Sequence, residues 1–211
     1  FDKLERHLGR FAIPNVSLYL VIGQVFVLGA AMFGRLDANI CVFTPELVRE
    51  GEWWRLITFW FLPPPTSPLF IAFAWYLFWM MGSALEGYWG AFRYNVFLFV
   101  GAMLTIGVAF FTPLAPATNA FVAGSVFLAF ARLNPDFEMM IFFILPVKIK
   151  WLALLTWVLY GVQFALGGWS TRWQILASVG NFLLFFTGDI IRSLRQERRR
   201  DRKSTRLNSS H

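Results

Sequence analysis

Ser125 lies in the apolar run 118–133, within Ala-Gly-Ser-Val, and Ser178 lies in a later apolar run, within ASVGNF. A serine hydroxyl becomes a nucleophile near neutral pH only when a neighbouring base takes its proton. A catalytic reading of either serine therefore needs a histidine or lysine inside the same apolar segments. The two histidines are His7, before the first apolar run, and His211, the last residue. Lys148 and Lys150 stand at the edge of an apolar run rather than inside it. Cys41 is the single cysteine, so no internal disulfide forms, and paired Cys/His metal-ligand spacing is absent. The residues point to no metal, no cofactor and no serine–base pair.

The elements that position these residues are apolar helices. Of 211 residues, 57% are hydrophobic, 19% aromatic and only 15% charged. The mean hydropathy is +0.56, outside the range of an ordinary soluble domain. Apolar runs bounded by charge, proline or glycine predict six spans: 15–33, 69–85, 94–111, 118–133, 151–168 and 173–191. The segment 34–68 carries Arg35, Asp37, Glu46, Arg49, Glu50, Glu52 and Arg55 and reads as a long loop between the first two. Residues 134–150, broken by Pro135 and Pro146, read as a loop or interfacial hairpin. The expected fold is an all-α polytopic membrane protein. Its six-helix domain covers 1–191 and a basic cytoplasmic tail covers 192–211.

Net charge is +7, and most of the excess falls after Ile191 in RSLRQERRRDRKSTR. A juxtamembrane tail facing anionic lipid explains it better than nucleic-acid binding, for which no aromatic-basic surface accompanies the charge. Basic residues flanking the spans place both termini on the cytoplasmic side. Phe1 in place of an initiating methionine is what a fragment would show, and KSTRLNSSH reads as adapter-derived sequence. Gln24, Asn119, Ser125, Gln163, Ser178 and Asn181 lie within the spans. Each is costly against lipid, so each is expected to face another helix. Ala120 with Gly124, and Ala177 with Gly180, are small residues at helical spacing and are expected at helix contacts, beside Asn181.

The stretch EGEWWRLITFWF, followed by a span ending GSALEGYWGAFRY, resembles the rhomboid superfamily of six-helix membrane proteins. The family motif falls on Trp54-Arg55, Glu86, Gly90 and Arg93-Tyr94. The later LNPDFEMMIFFILPVKIKW is similar to the family's segment between helices four and five, and the resemblance covers roughly 44–189. LEGYWG and NPDFEMMIFF resemble the Derlin branch, whose members keep the fold without proteolysis; other inactive rhomboids stay open as alternatives. Active members use a serine on helix four and a histidine on helix six. By the family's spacing those positions fall on Ala120 and Ser178, and the loop histidine of the oxyanion site falls near Pro63.

The resemblance thus implies an inactive scaffold that binds transmembrane clients or partner proteins, in quality control or trafficking. The membrane would be the bacterial inner membrane or the endoplasmic reticulum. A homo-oligomer stays open. The alternative readings are an intramembrane serine protease of atypical chemistry acting through Ser125, and a transporter or lipid-handling protein. The latter class shows internal repeats or broken helices around an ionisable site, and no convincing repeat is present. Asp189 with Arg192, at helical spacing, reads as a local pair.

Overall fold

The computed structural model describes residues 9–112, 118–141 and 145–187. His7, His211, the Asp189–Arg192 pair and the tail 192–211 lie outside the described residues.

Helix α1 (Val16–Met32) begins at Asn15, whose φ of 55° puts it in the left-handed region that asparagine tolerates better than most residues. The loop that follows carries two short helices, α2 (Pro45–Arg49) and α3 (Arg55–Thr58), and single 3-10 turns at Ala38–Cys41 and Phe59–Phe61. Proline at Pro63, Pro64 and Pro65 cannot continue the last turn. A new helix, α4 (Pro68–Trp89), starts with proline in its first turn, where its missing N–H costs nothing. Gly90, at φ 81°, turns the chain directly into α5 (Ala91–Phe111).

Helix α6 (Ala120–Leu133) leads to a two-stranded antiparallel hairpin, β1 (Glu138–Ile141) with β2 (Leu145–Lys148), in which Met139 pairs with Val147. The segment expected as a loop or interfacial hairpin contains a β-hairpin, with Pro146 on one of its strands. Helix α7 (Ile149–Leu166) and a last described helix, α8 (169–187), follow.

Helices α4, α5 and α7, with 22, 21 and 18 residues, are long and apolar enough to cross a membrane. They mark the chain as a helical membrane protein. Two of the other expected spans are shorter. Helix α1 has 17 residues. Helix α6 has 14, about 21 Å at 1.5 Å per residue against a hydrocarbon core of about 30 Å. Helix α6 is also among the most enclosed elements. It packs on α4, α5 and α7 and buries Val122, Ser125, Val126, Leu128, Ala129, Phe130 and Ala131. A helix surrounded by protein does not need to match the hydrocarbon thickness with its own length.

Contacts between helix ends sort the chain into two faces. At one end, Tyr88 donates to Asn134 Oδ1 at 3.1 Å, and Asn95 Nδ2 donates to the Ile13 carbonyl at 3.1 Å. This end gathers the start of α1, the α4–α5 turn and the hairpin. An aromatic group of Trp89, Phe97, Phe185 and Phe186 holds α8 there, with Trp89 and Phe97 centroids 5.4 Å apart. At the opposite end, Asn119 reaches the loop carbonyls of Trp60 and Leu62. Phe43 and Phe59, both fully buried, anchor the long loop there against Ala102 and Ala109 of α5.

Candidate functional site

A cavity of about 490 Å³ opens at the loop end of the bundle, between α1, α4, α6 and the proline run. Its wall is apolar, from Trp60, Pro63, Pro64, Pro65, Trp75 and Phe78, and Ala120 and Ala123 complete the lining from α6.

Two amides fasten the wall. Gln24 on α1 donates through Nε2 to the Trp60 carbonyl at 2.9 Å and accepts from Trp75 Nε1 at 2.7 Å. This single side chain therefore joins α1, the loop and α4. Asn119 Nδ2 donates to the carbonyls of Trp60 at 3.1 Å and Leu62 at 2.9 Å, tying the start of α6 to the same loop. The Trp60 carbonyl thus receives both amides. A part-buried loop carbonyl has no ladder partner, and here side-chain donors satisfy it. Gly23 lets the Phe61 ring lie directly against α1, since a Cβ there would overlap the ring.

Ala120 and Ser178 have different surroundings. Ser178 Oγ donates at 3.1 Å to the carbonyl of Phe121, the residue after Ala120. Ala120 faces the cavity rather than a helix contact. Ser178 is buried at the α6–α8 contact and is not part of the cavity lining. Beside it, Gly124 makes room for the Tyr160 hydroxyl from α7; any side chain at that position would meet it.

Ser125 is fully buried. It donates to the Val122 carbonyl at 2.8 Å and accepts from Asn181 Nδ2 at 3.0 Å. Asn181 is held close to α5 by Gly101, where a Cβ would stand 2.7 Å from its Nδ2. Gly101 carries no sequence signal beyond being a glycine in an apolar span, and it is the partner that the small-residue pattern on α6 and α8 did not reveal. Asn181 Oδ1 is buried without a hydrogen-bond partner. Ala177 is buried, whereas Gly180 faces open space and allows no close helix approach. Gln163 departs from the expectation for polar residues in spans. It is exposed, near the Leu166 end of α7.

The motif residues have separate structural roles. Arg55 is buried at 8% exposure. Its Nε donates to Glu52 Oε2 at 2.5 Å, and its Nη1 donates to the carbonyls of Asn39 at 2.6 Å and Val42 at 2.7 Å. Its guanidinium clamps one part of the long loop onto another, the fork geometry that lysine does not offer. Trp54 is half exposed. Cys41 is buried beside this clamp, and burial raises its thiol pKa above 9.0 against the opposing influences of Arg55 and Thr58. At the other end, Glu86 Oε1 accepts the Asn15 N–H at 2.8 Å, and Gly90 makes the turn into α5. Arg93 stands in the first turn of α5 at that same end. Among the described residues no three His, Cys, Asp or Glu side chains come together as a metal site.

Comparison with family models and with curated proteins yields no match for the chain.

Proposed function

We propose that this chain is a rhomboid-like membrane protein without protease activity, and that it binds transmembrane segments of client or partner proteins. The observation that carries the proposal is the cavity lining. Where the resemblance places a nucleophile, Ala120 offers a methyl group to a 490 Å³ apolar space, and the Ser178 hydroxyl is committed to the Phe121 carbonyl. Attack on a peptide bond requires a nucleophile, a base and a donor for the oxyanion at one point. The cavity lining carries one hydroxyl, Thr118, with no histidine, lysine or carboxylate to act as its base, and Pro63 to Pro65, which lack N–H groups, occupy the loop side.

The surface supports the binding half of the reading. Helix α4 packs on α1, α5 and α6, while α7 packs on α6 and β2. Both turn large apolar side chains outward: Phe70, Tyr76 and Trp79 on α4, and Leu154, Trp157 and Val158 on α7. A transmembrane segment of a second protein has matching apolar surface, and its association would rest on close contact and occasional interhelical hydrogen bonds. Both termini on the cytoplasmic side, in a bacterial inner membrane or the endoplasmic reticulum, belong to the same proposal, as does a role in quality control or trafficking.

Photo-crosslinkers at Tyr76 and Leu154 test it in proteoliposomes holding a single-span rhomboid substrate. Adducts to that span, competed by excess unlabelled span, are expected. Adducts to lipid alone at both positions would remove the client-binding reading.

A further inference from the structure

Arg132 and Lys150 flank a second crevice, of about 270 Å³, at the hairpin end of the bundle between α6, α7 and α8. Its walls are apolar: Leu128 and Ala131 from α6, Ala153, Leu154 and Trp157 from α7, and Phe182 from α8. Trp157 and Phe182 meet at a centroid distance of 6.3 Å. Leu154 is 53% exposed and Trp157 40%, so the crevice stands open along a helix whose surroundings are hydrocarbon.

The charges sit where the crevice ends. Arg132 is in the last turn of α6, is exposed, and has no hydrogen-bond or ion-pair partner among the described residues. Lys150, in the first turn of α7, donates to Asp136 Oδ1 at 3.0 Å, and Lys148 stands 3.9 Å from the same oxygen. Asp136, with 71% side-chain exposure, and the exposed Glu138 are the acids on this hairpin. They offset part of the lysine charge, and neither pairs with Arg132. An exposed guanidinium at the mouth of an apolar slot complements a molecule with an anionic head and a hydrocarbon chain.

We propose that this crevice holds one anionic phospholipid of the surrounding bilayer. Its phosphate sits between Arg132 and Lys150, and one acyl chain runs along Ala153, Leu154 and Trp157. The site selects against zwitterionic lipid because a cationic headgroup would bring a like charge to Arg132. It is separate from the 490 Å³ cavity, which opens at the opposite end of the bundle; it shares Leu154 and Trp157 with the outward face of α7, and its test uses lipid alone, without a client segment.

Native mass spectrometry of the delipidated protein in detergent tests the site, with phosphatidylglycerol, phosphatidylcholine and soluble glycerol 3-phosphate as ligands. Wild type is expected to retain phosphatidylglycerol in preference to phosphatidylcholine. One cation near a membrane surface is worth about fivefold in affinity. Arg132→Gln should therefore lose about that factor, and the double variant with Lys150→Gln should lose more. Arg35→Gln, at the opposite end, should bind as wild type does.

Ala153→Trp keeps both cations and fills the slot, so it should also lose phosphatidylglycerol; Ala153→Leu replaces it if the tryptophan variant melts early. Unchanged phosphatidylglycerol binding by the filled variants would reduce the effect to surface charge and overturn the site. Equal retention of glycerol 3-phosphate would assign the cations to free phosphate and overturn the lipid.

Discussion

Glu86 on α4 accepts the backbone N–H of Asn15 at 2.8 Å, so a carboxylate from one helix closes the start of another. Asn15 makes no side-chain cap of its own. Glu86 takes the part that a glutamate three residues into a helix plays in a capping box, but from across a tertiary contact. Nearby, Ser17 and Tyr94 share a 2.6 Å hydrogen bond, and Gly82 leaves both oxygens the room they occupy. Glu86→Ala should lower stability by about 1 kcal/mol, the usual loss for a removed cap. Denaturation in detergent, followed by helical circular dichroism, measures it.

Arg55 makes a different kind of prediction, because its removal leaves the carbonyls of Asn39 and Val42 without their donor. Arg55→Ala should cost about 2–4 kcal/mol, and Arg55→Lys should recover only part of it. Cys41 supplies the readout. Its burial raises its pKa, while the Arg55 charge acts the other way and more weakly. Opening the loop should therefore speed maleimide labelling of Cys41, even though losing Arg55 alone would slow it. Slower labelling in Arg55→Ala would show that the loop stays closed without the clamp.

Gly101 and Asn181 should show strong coupling. A methyl group at Gly101 would stand 2.7 Å from Asn181 Nδ2, an overlap of the kind that costs about 1–3 kcal/mol. Asn181→Ala alone forfeits the bond to Ser125, worth about 0.6 kcal/mol for interhelical bonds in membranes. Combining Gly101→Ala with Asn181→Ala should be milder than the sum, since the second change removes the group that the first one strikes. Thermal unfolding of the two single variants and the double variant completes the cycle.

Asp136 sets the pH dependence of the hairpin. Its hydrogen bond from Lys150 and the lysine charge hold its carboxyl below the usual 3.8. A carboxyl depressed in the folded state stabilises fully above its unfolded pKa, and that contribution fades as pH falls through the lower folded value. Amide protection factors of β1 and β2, with the intrinsic pH dependence of exchange divided out, should therefore hold from pH 7 to about pH 5 and fall only below the ordinary aspartate range. Asp136→Asn should abolish that acid-dependent change.

Helix positions were readable because length and apolar content decide them. The runs 15–33, 94–111 and 118–133 correspond within a few residues to α1, α5 and α6. The end of α4 was harder. Glu86 and the two residues Gly87 and Tyr88 look like a polar boundary, yet the helix continues to Trp89 because Gly90 supplies the turn and the carboxylate has a partner on α1. Ser178 bonds the Phe121 carbonyl, which brings α8 against the start of α6 next to Ala120 in the chain.

The site itself was less legible. Gln24 and Asn119 were expected at helix contacts, but their loop target, the Trp60 carbonyl, is a backbone atom that leaves no mark on residue type. The pairing of Gly101 with Asn181 across α5 and α8 likewise depends on which helix faces meet, and periodicity within one helix does not specify that.

The most direct measurement is cleavage of a rhomboid transmembrane substrate in proteoliposomes, with an active rhomboid run beside it and a fluorophosphonate probe added to both. The expected result is no product and no labelling from this chain, while the active enzyme gives both. Product formation, together with labelling that disappears in Ser125→Ala, would contradict the non-proteolytic assignment and make the buried Ser125 a nucleophile.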